Sequence, residues 1–279
     1  MSTITVAGII GKTKNNWRII QMRRELTLEE SKSLQLEMLK EVDRFCKMHD
    51  IRYSLAFGTL LGAVRHKGFI PWDDDVDIMM PLPDLLKLKR LFKSDTMEYC
   101  DVDNHPYYPY SFSRLVSKKT YNKTGLFLKS DGVCIDVYPI VSIPDDCSAR
   151  QFYWEKGQQI VDRRKWYLKW GRRFFKLSPI RFFPNYEKTM REFRDHMLYH
   201  IPYGSSKTYY AIAGYLYLRD KMTYDFDIFG EMTQLEFEGS YYPGIAKYDK
   251  FLTLRYGDYM QLPPENQRHP YHGGHFYWK

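Results

Sequence analysis

Apolar residues recur at helical spacing through Leu34, Met38, Val42 and Phe45, with Glu37, Lys40, Glu41 and Arg44 between them. Thr27 followed by Glu30 supplies a capping box just ahead, so the pattern predicts a helix over about 28–49. Residues 52–57 then read as a buried strand, and 60–65 as a short helix after Gly58-Thr59. From Asp75 to Met80 polar and apolar positions alternate until Pro81 and Pro83, which predicts a strand. A helix over about 84–93 follows, then strands near 97–102, 111–118 and 133–138. Helices and strands interleaved in this order predict an α/β (α+β) fold with a mixed sheet flanked by helices.

Beyond about 147 the texture changes. Residues 148–176 are helical in pattern and rich in Arg, Lys and Trp, and 185–200 suit another helix. Strands are predicted around Gly239 within 226–243, a helix over 245–256, and a loop-like tail from Gly257 to Lys279. The organisation expected is an N-terminal arm (1–26), a catalytic core (27–145), a helical basic and aromatic region (146–225) and a C-terminal part completing the domain (226–279).

Net charge changes this picture by narrowing the partners. A formal charge of +8 favours anionic ligands: nucleotides, phosphorylated glycans, nucleic acid or an anionic membrane surface. Cys46, Cys100, Cys134 and Cys147 form no CxxC pair, which fits a reduced, cytoplasmic protein. No apolar run approaches the length of a membrane span, and the first twenty residues do not read as a signal peptide.

The chemistry concentrates in Trp72-Asp73-Asp74-Asp75-Val76-Asp77. On a strand Asp75 and Asp77 share a face, because side chains alternate with period two. Neighbouring carboxylates repel, and a hard divalent ion such as Mg²⁺, or Mn²⁺, relieves that repulsion. A solvated acidic turn is the bland alternative; the surroundings argue against it. Gly58 and Thr59 lie at a strand-to-helix junction suited to a phosphate, and Arg65, His66 and Lys67 add positive charge nearby. Asp136 stands among the apolar residues of 133–138, where a lone charge is costly. It either enters the metal site, as ligand or proton acceptor, or pairs with a buried cation.

The stretch from Tyr53 to Ile78, carrying Gly58-Thr59, Gly62, Arg65-His66-Lys67-Gly68, Pro71-Trp72 and the Asp run, resembles the LicD family of phosphocholine transferases, related to fukutin and fukutin-related protein. Ile135-Asp136-Val137-Tyr138-Pro139 resembles the family's second acidic strand, and Tyr256-Gly257-Asp258-Tyr259 through Pro264, with Arg268 and His269, its C-terminal motif. The resemblance implies a nucleotidyltransferase-like core. It also implies transfer of phosphocholine, or a related phospho-alcohol, from a CDP-alcohol (CDP-choline favoured) to a hydroxyl of a cell-surface glycan or lipid-linked precursor. In that reading Asp75 and Asp77 hold Mg²⁺, Gly58, Thr59, Arg65 and Lys67 meet the phosphates, and Asp136 is third ligand or base. Pro81-Leu82-Pro83-Asp84-Leu85 departs from the family, where many members carry an Arg before an Asp-Tyr pair.

Trp72, Glu238, Arg268 and His269 are candidates for lining the substrate cleft. The basic, aromatic stretch 163–175 suits peripheral contact with an anionic membrane at the inner face, or a solvated helix face. Two rival functions remain: nucleotidyl transfer releasing pyrophosphate, and a non-catalytic glycan- or nucleic-acid-binding module. Three crowded aspartates gain a polyanion binder nothing, so nucleic acid is not an expected partner.

Overall fold

The computed structural model describes residues 24–105, 108–122, 132–174, 185–212, 216–269 and 275–279. Most of the N-terminal arm (residues 1–23) lies outside them, as does part of the basic segment.

The chain enters through α1 (Leu28–Met48), whose capping box is complete: Thr27 Oγ1 accepts from the Glu30 amide, and the Glu30 carboxylate accepts from the Thr27 amide. Its apolar stripe, Leu34, Met38, Leu39, Val42 and Cys46, is buried. The strand expected over 52–57 shrinks to β1 (Ser54–Leu55), because Phe57 takes a φ of 41° and turns the chain at once into α2 (Phe57–His66). Gly58 and Thr59 therefore sit in the first turn of α2. Next come β2 (Val76–Pro81), α3 (Leu82–Leu91), β3 (Met97–Cys100), β4 (Ser113–Ser117), β5 (Thr120–Asn122) and β6 (Cys134–Ile143). The second half contributes α4 (Cys147–Phe174), α5 (Asn185–Tyr199), β7 (Thr208–Ala211), β8 (Thr223–Tyr224), a hairpin of β9 (Met232–Phe237) and β10 (Ser240–Ile245), α6 (Tyr248–Tyr256) and β11 (Phe276–Trp278).

The main sheet runs β1-β2-β6-β4-β3, and only the β2–β6 pair is parallel among its described pairings. β2 and β6 are buried almost throughout, as central strands covered on both faces should be. β6 is long enough to pair with β4 through its first half and β7 through its second. The region 146–225 thus returns a strand to the same sheet. Neither β7 nor β11 was expected. The tail is not wholly loop-like, since β11 pairs with β5. Three or four residues are too few to show a period, and distant partners decide their state. A column of rings ties the elements together: Phe112 on Tyr138 (4.5 Å), Tyr138 on Phe57 (4.9 Å), Phe57 near Phe251 (5.9 Å) and Phe251 stacked on Tyr224 (4.7 Å).

Between α2 and β2 the chain doubles back along α2. Gly58 and Gly62, one turn apart, give it room. A Cβ at Gly62 would stand 2.5 Å from the Gly68 carbonyl oxygen, and one at Gly58 would stand 2.6 Å from Asp73 Oδ2. Gly62→Ala should therefore destabilise the protein by about 1–3 kcal/mol through overpacking against backbone, read as a lower urea midpoint at unchanged m-value. An unchanged midpoint would show that the returning loop has slack.

Candidate active site

The returning loop carries the acidic run, and four residues from three elements hold it. Lys32 of α1 donates to the carbonyls of Ile70 (3.2 Å) and Pro71 (3.0 Å). Gln35 of α1, buried, donates to the carbonyls of Asp74 (3.2 Å) and Cys134 (3.3 Å), joining the loop to β6. Glu238, at the β9–β10 turn with φ of 51°, accepts the Phe69 amide on its carboxylate (2.9 Å) and donates its own amide to the Lys67 carbonyl (2.9 Å). Thr59 of α2 accepts the Asp77 amide on its hydroxyl oxygen (2.8 Å). The loop's backbone is anchored, so its carboxylates are aimed.

Ligand oxygens of Asp73, Asp74 and Asp75 lie within 4.8 Å of one another. The next acid, Asp77, is in β2, directly opposite Asp136 in β6, and Asp136 is directly opposite Arg114 in β4. Directly paired residues share a sheet face, so two carboxylates and one guanidinium stand in a row across three strands. The Arg114 Nε lies 2.7 Å from Asp136 Oδ1, and its Nη2 donates to Oδ2 at 3.2 Å. Tyr138 Oη also donates to Asp136 Oδ2 (3.4 Å). The guanidinium rests over the Tyr110 ring at 3.7 Å.

Asp77 has no such compensation. It is 6% exposed, and its Oδ1 is buried with no hydrogen-bond partner. Burial first, then the charges of Asp75, Asp136 and Asp73, push its pKa well above the usual carboxylate range, against a lowering by Arg114. An oxygen with unused lone pairs, buried beside three more carboxylates, is what an oxygen-seeking divalent ion fits. The donor set passes that chemical test for Mg²⁺ or Mn²⁺.

The predicted basic residues are less uniform. Arg65 donates through Nη1 to the carbonyls of Tyr259 (2.6 Å) and Gln261 (3.4 Å), and through Nε to His66 Nδ1 (3.3 Å). It anchors the C-terminal segment. Burial, then Arg65, lowers the His66 pKa. Lys67 is exposed at the end of α2, about 13 Å along the helix axis from Gly58 at roughly 1.5 Å per residue. The Asp73 carboxylate lies against Gly58. Trp72 contacts His66 (ring centroids 6.4 Å apart) and lies under the Arg268 guanidinium (5.6 Å), while His269 is exposed. His272 lies outside the described residues.

Residues 50–182 match the family described as LicD/FKTN/FKRP, nucleotidyltransferase domain. The chain is also 28% identical over 268 residues to the lipopolysaccharide cholinephosphotransferase LicD of Haemophilus influenzae, covering 89% of this chain and 97% of that one. A Rickettsia typhi protein of uncharacterized function matches over 70 residues at 37% identity, 23% of each chain. Residues 50–182 of this chain form a LicD-family domain.

The LicD domain match contains every carboxylate of the cluster, Gly58, Thr59 and Arg114, but not Glu238, Arg268 or Tyr256. Sequence reasoning missed Arg114 and placed Tyr256 only in the C-terminal motif, without a site role. Arg114 carried the same signal as Asp136, a charge within an apolar strand, and only the register pairs them. Tyr256, last residue of α6, keeps 39% of its surface exposed. Burial of its hydroxyl raises its pKa, Arg255 opposes, and Asp77, Asp73 and Asp75 raise it further, so the hydroxyl feels the charge of the acidic cluster.

Two outcomes follow for this LicD-family site. Arg114→Met leaves Asp136 buried and unpaired and should cost about 3–5 kcal/mol, while Arg114→Met with Asp136→Leu should recover most of it in urea unfolding. An additive double variant would deny the pair. A buried acid with a raised pKa contributes stability that is present below the ordinary carboxylate range and lost as pH climbs through the raised value. In EDTA, Asp77→Asn should therefore gain on the wild type as pH rises from acid toward neutral; a pH-independent difference would contradict the crowding.

Proposed function

We propose that this LicD-family protein is a Mg²⁺-dependent phosphotransferase. It moves phosphocholine, or a related phospho-alcohol, from a CDP-alcohol to a hydroxyl of a cell-surface glycan or its lipid-linked precursor, with lipopolysaccharide the acceptor class suggested by the Haemophilus relative. The observation that carries the reading is the buried, unpartnered oxygen of Asp77 beside Asp75 and Asp136.

In this reading Asp75 and Asp77 hold the ion, which when bound neutralises charge building on the leaving phosphate. Asp136 serves better as a fixed third ligand than as a base. Protonating it would leave the buried Arg114 guanidinium facing a neutral carboxyl. Thr59 sets the height of β2 against α2 through the Asp77 amide, and Glu238 holds the loop that presents Asp73 to Asp75. Trp72, with the Arg268 guanidinium over its ring, would line the approach in this reading.

The surface of α4 also suits work at an inner membrane face. No helix among the described residues is long and apolar enough to cross a membrane. Trp166 is 54% exposed near Arg163 and Lys165 on α4, which suits peripheral contact with anionic lipid and access to a lipid-linked acceptor.

Purified protein with Mg²⁺ should turn over one of CDP-choline, CDP-ethanolamine, CDP-glycerol or CDP-ribitol with release of CMP. Pyrophosphate from a nucleoside triphosphate would instead favour nucleotidyl transfer, and ligand binding without either product a binding module. Asp75→Asn with Asp77→Asn should lower turnover about a thousandfold, several kcal/mol of transition-state stabilisation, while the far-ultraviolet circular dichroism is kept. Turnover surviving in that variant would remove these residues from the mechanism.

A further inference from the structure

The acidic site has a charge problem that one divalent ion leaves unsolved. Asp73, Asp74, Asp75, Asp77 and Asp136 stand together, and a diphosphate donor would bring further negative charge. The nearby cations are mostly committed. Arg114 is paired with Asp136, Arg65 donates to backbone carbonyls of the C-terminal segment, and Lys32 donates to the carbonyls of Ile70 and Pro71.

Arg255 is different. It stands at the end of α6, half-buried, and makes no hydrogen bond or ion pair to any described residue. Its Nε is buried without a partner, and its guanidinium carbon lies 5.3 Å from the Tyr256 ring centroid. A buried N–H on a permanent cation is costly to leave unmade, so this group is held ready for something absent from the described residues. α6 is seated where that something would be useful. Phe251 packs near Phe57, the residue before Gly58, and stacks on Tyr224. Gly257, at φ 74° and ψ −129°, ends the helix directly after Tyr256 in a backbone conformation that side chains disfavour, while Arg65 holds Tyr259 beyond it. Tyr256, whose ring the Arg255 guanidinium approaches and whose hydroxyl feels the charges of the aspartates, adds a donor at the same helix end.

We propose that Arg255 and Tyr256 form the anion subsite that seats a phosphate of the nucleotide donor across from the aspartate cluster. This rests on the reading of the protein as a CDP-alcohol phosphotransferase and adds the residues that hold the donor. A guanidinium offers paired N–H groups to phosphate oxygens and cannot lose its charge. The tyrosine hydroxyl donates a further hydrogen bond. The subsite recognises the phosphate and leaves the base and the alcohol to other contacts.

The test is calorimetric titration of CDP-choline, CMP and cytidine into the full chain, in Mg²⁺ and in EDTA, with thermal melts as the folding control. Arg255→Gln should weaken CDP-choline and CMP about tenfold to a hundredfold in both media, and cytidine not at all. Arg255→Lys should restore part of the loss, and Tyr256→Phe should weaken both phosphate ligands by about threefold to tenfold. These two variants carry the test if Arg255→Gln fails to fold. Phosphate-ligand affinities within about twofold of wild type, or cytidine losing as much as CMP, would overturn the subsite alone. A wild type that binds neither CDP-choline nor CMP, nor any of the other CDP-alcohols, would overturn the donor reading and the subsite with it.

Discussion

Asp77 is a buried carboxylate with an unpaired oxygen, placed opposite Asp136 on the one parallel strand pair among the main sheet's described pairings. Close like charges inside a protein are unfavourable by several kcal/mol unless something neutralises them. The fold answers half of this conflict itself. Arg114 takes up Asp136 from the next strand, is backed by Tyr110, and leaves Asp77 to Asp75 and the loop before it. The uncompensated half is the site we propose. Burial and charge are set against stability here in a way a purely structural sheet would avoid, and the arrangement makes sense as a seat for a cation.

Much of the remaining architecture keeps the acidic loop from relaxing away from that repulsion. The glycines of α2 let the returning chain lie against the helix, with Gly68 running beneath the Glu238 turn. Lys32, Gln35 and Thr59 then fix carbonyls and an amide of the loop and of β2. The residues doing this come from positions far apart in the chain, and the C-terminal helix closes the assembly by bringing Tyr256 to the carboxylates. The LicD domain match ends at 182, yet the loop it contains is held from outside by the β9–β10 hairpin.

Local signals in the sequence were strong wherever chemistry and geometry repeat over short range. The capping box of α1, the alternation of β2 and the charge at Asp136 all fall in this class. Arg114 shows the limit. A lone arginine in Ser113–Ser117 looks like an edge residue until the register sets it opposite Asp136. Arg65 shows another: its charge is plain in the sequence, but its donors go to the carbonyls of Tyr259 and Gln261, a partnership no periodicity announces. β7 and β11 are set by strands far away, and Phe57 begins α2 early through a positive φ that propensity disfavours.

Whether the crowded aspartates around the β2–β6 pair hold a divalent ion is decided by titrating Mn²⁺ into the protein and following the free-ion signal by electron paramagnetic resonance. Wild-type protein should remove the free-ion signal, and the variant carrying Asp75→Asn and Asp77→Asn should not. A free-ion signal undiminished by the wild type, or diminished equally by both proteins, would contradict a divalent-ion seat at these residues.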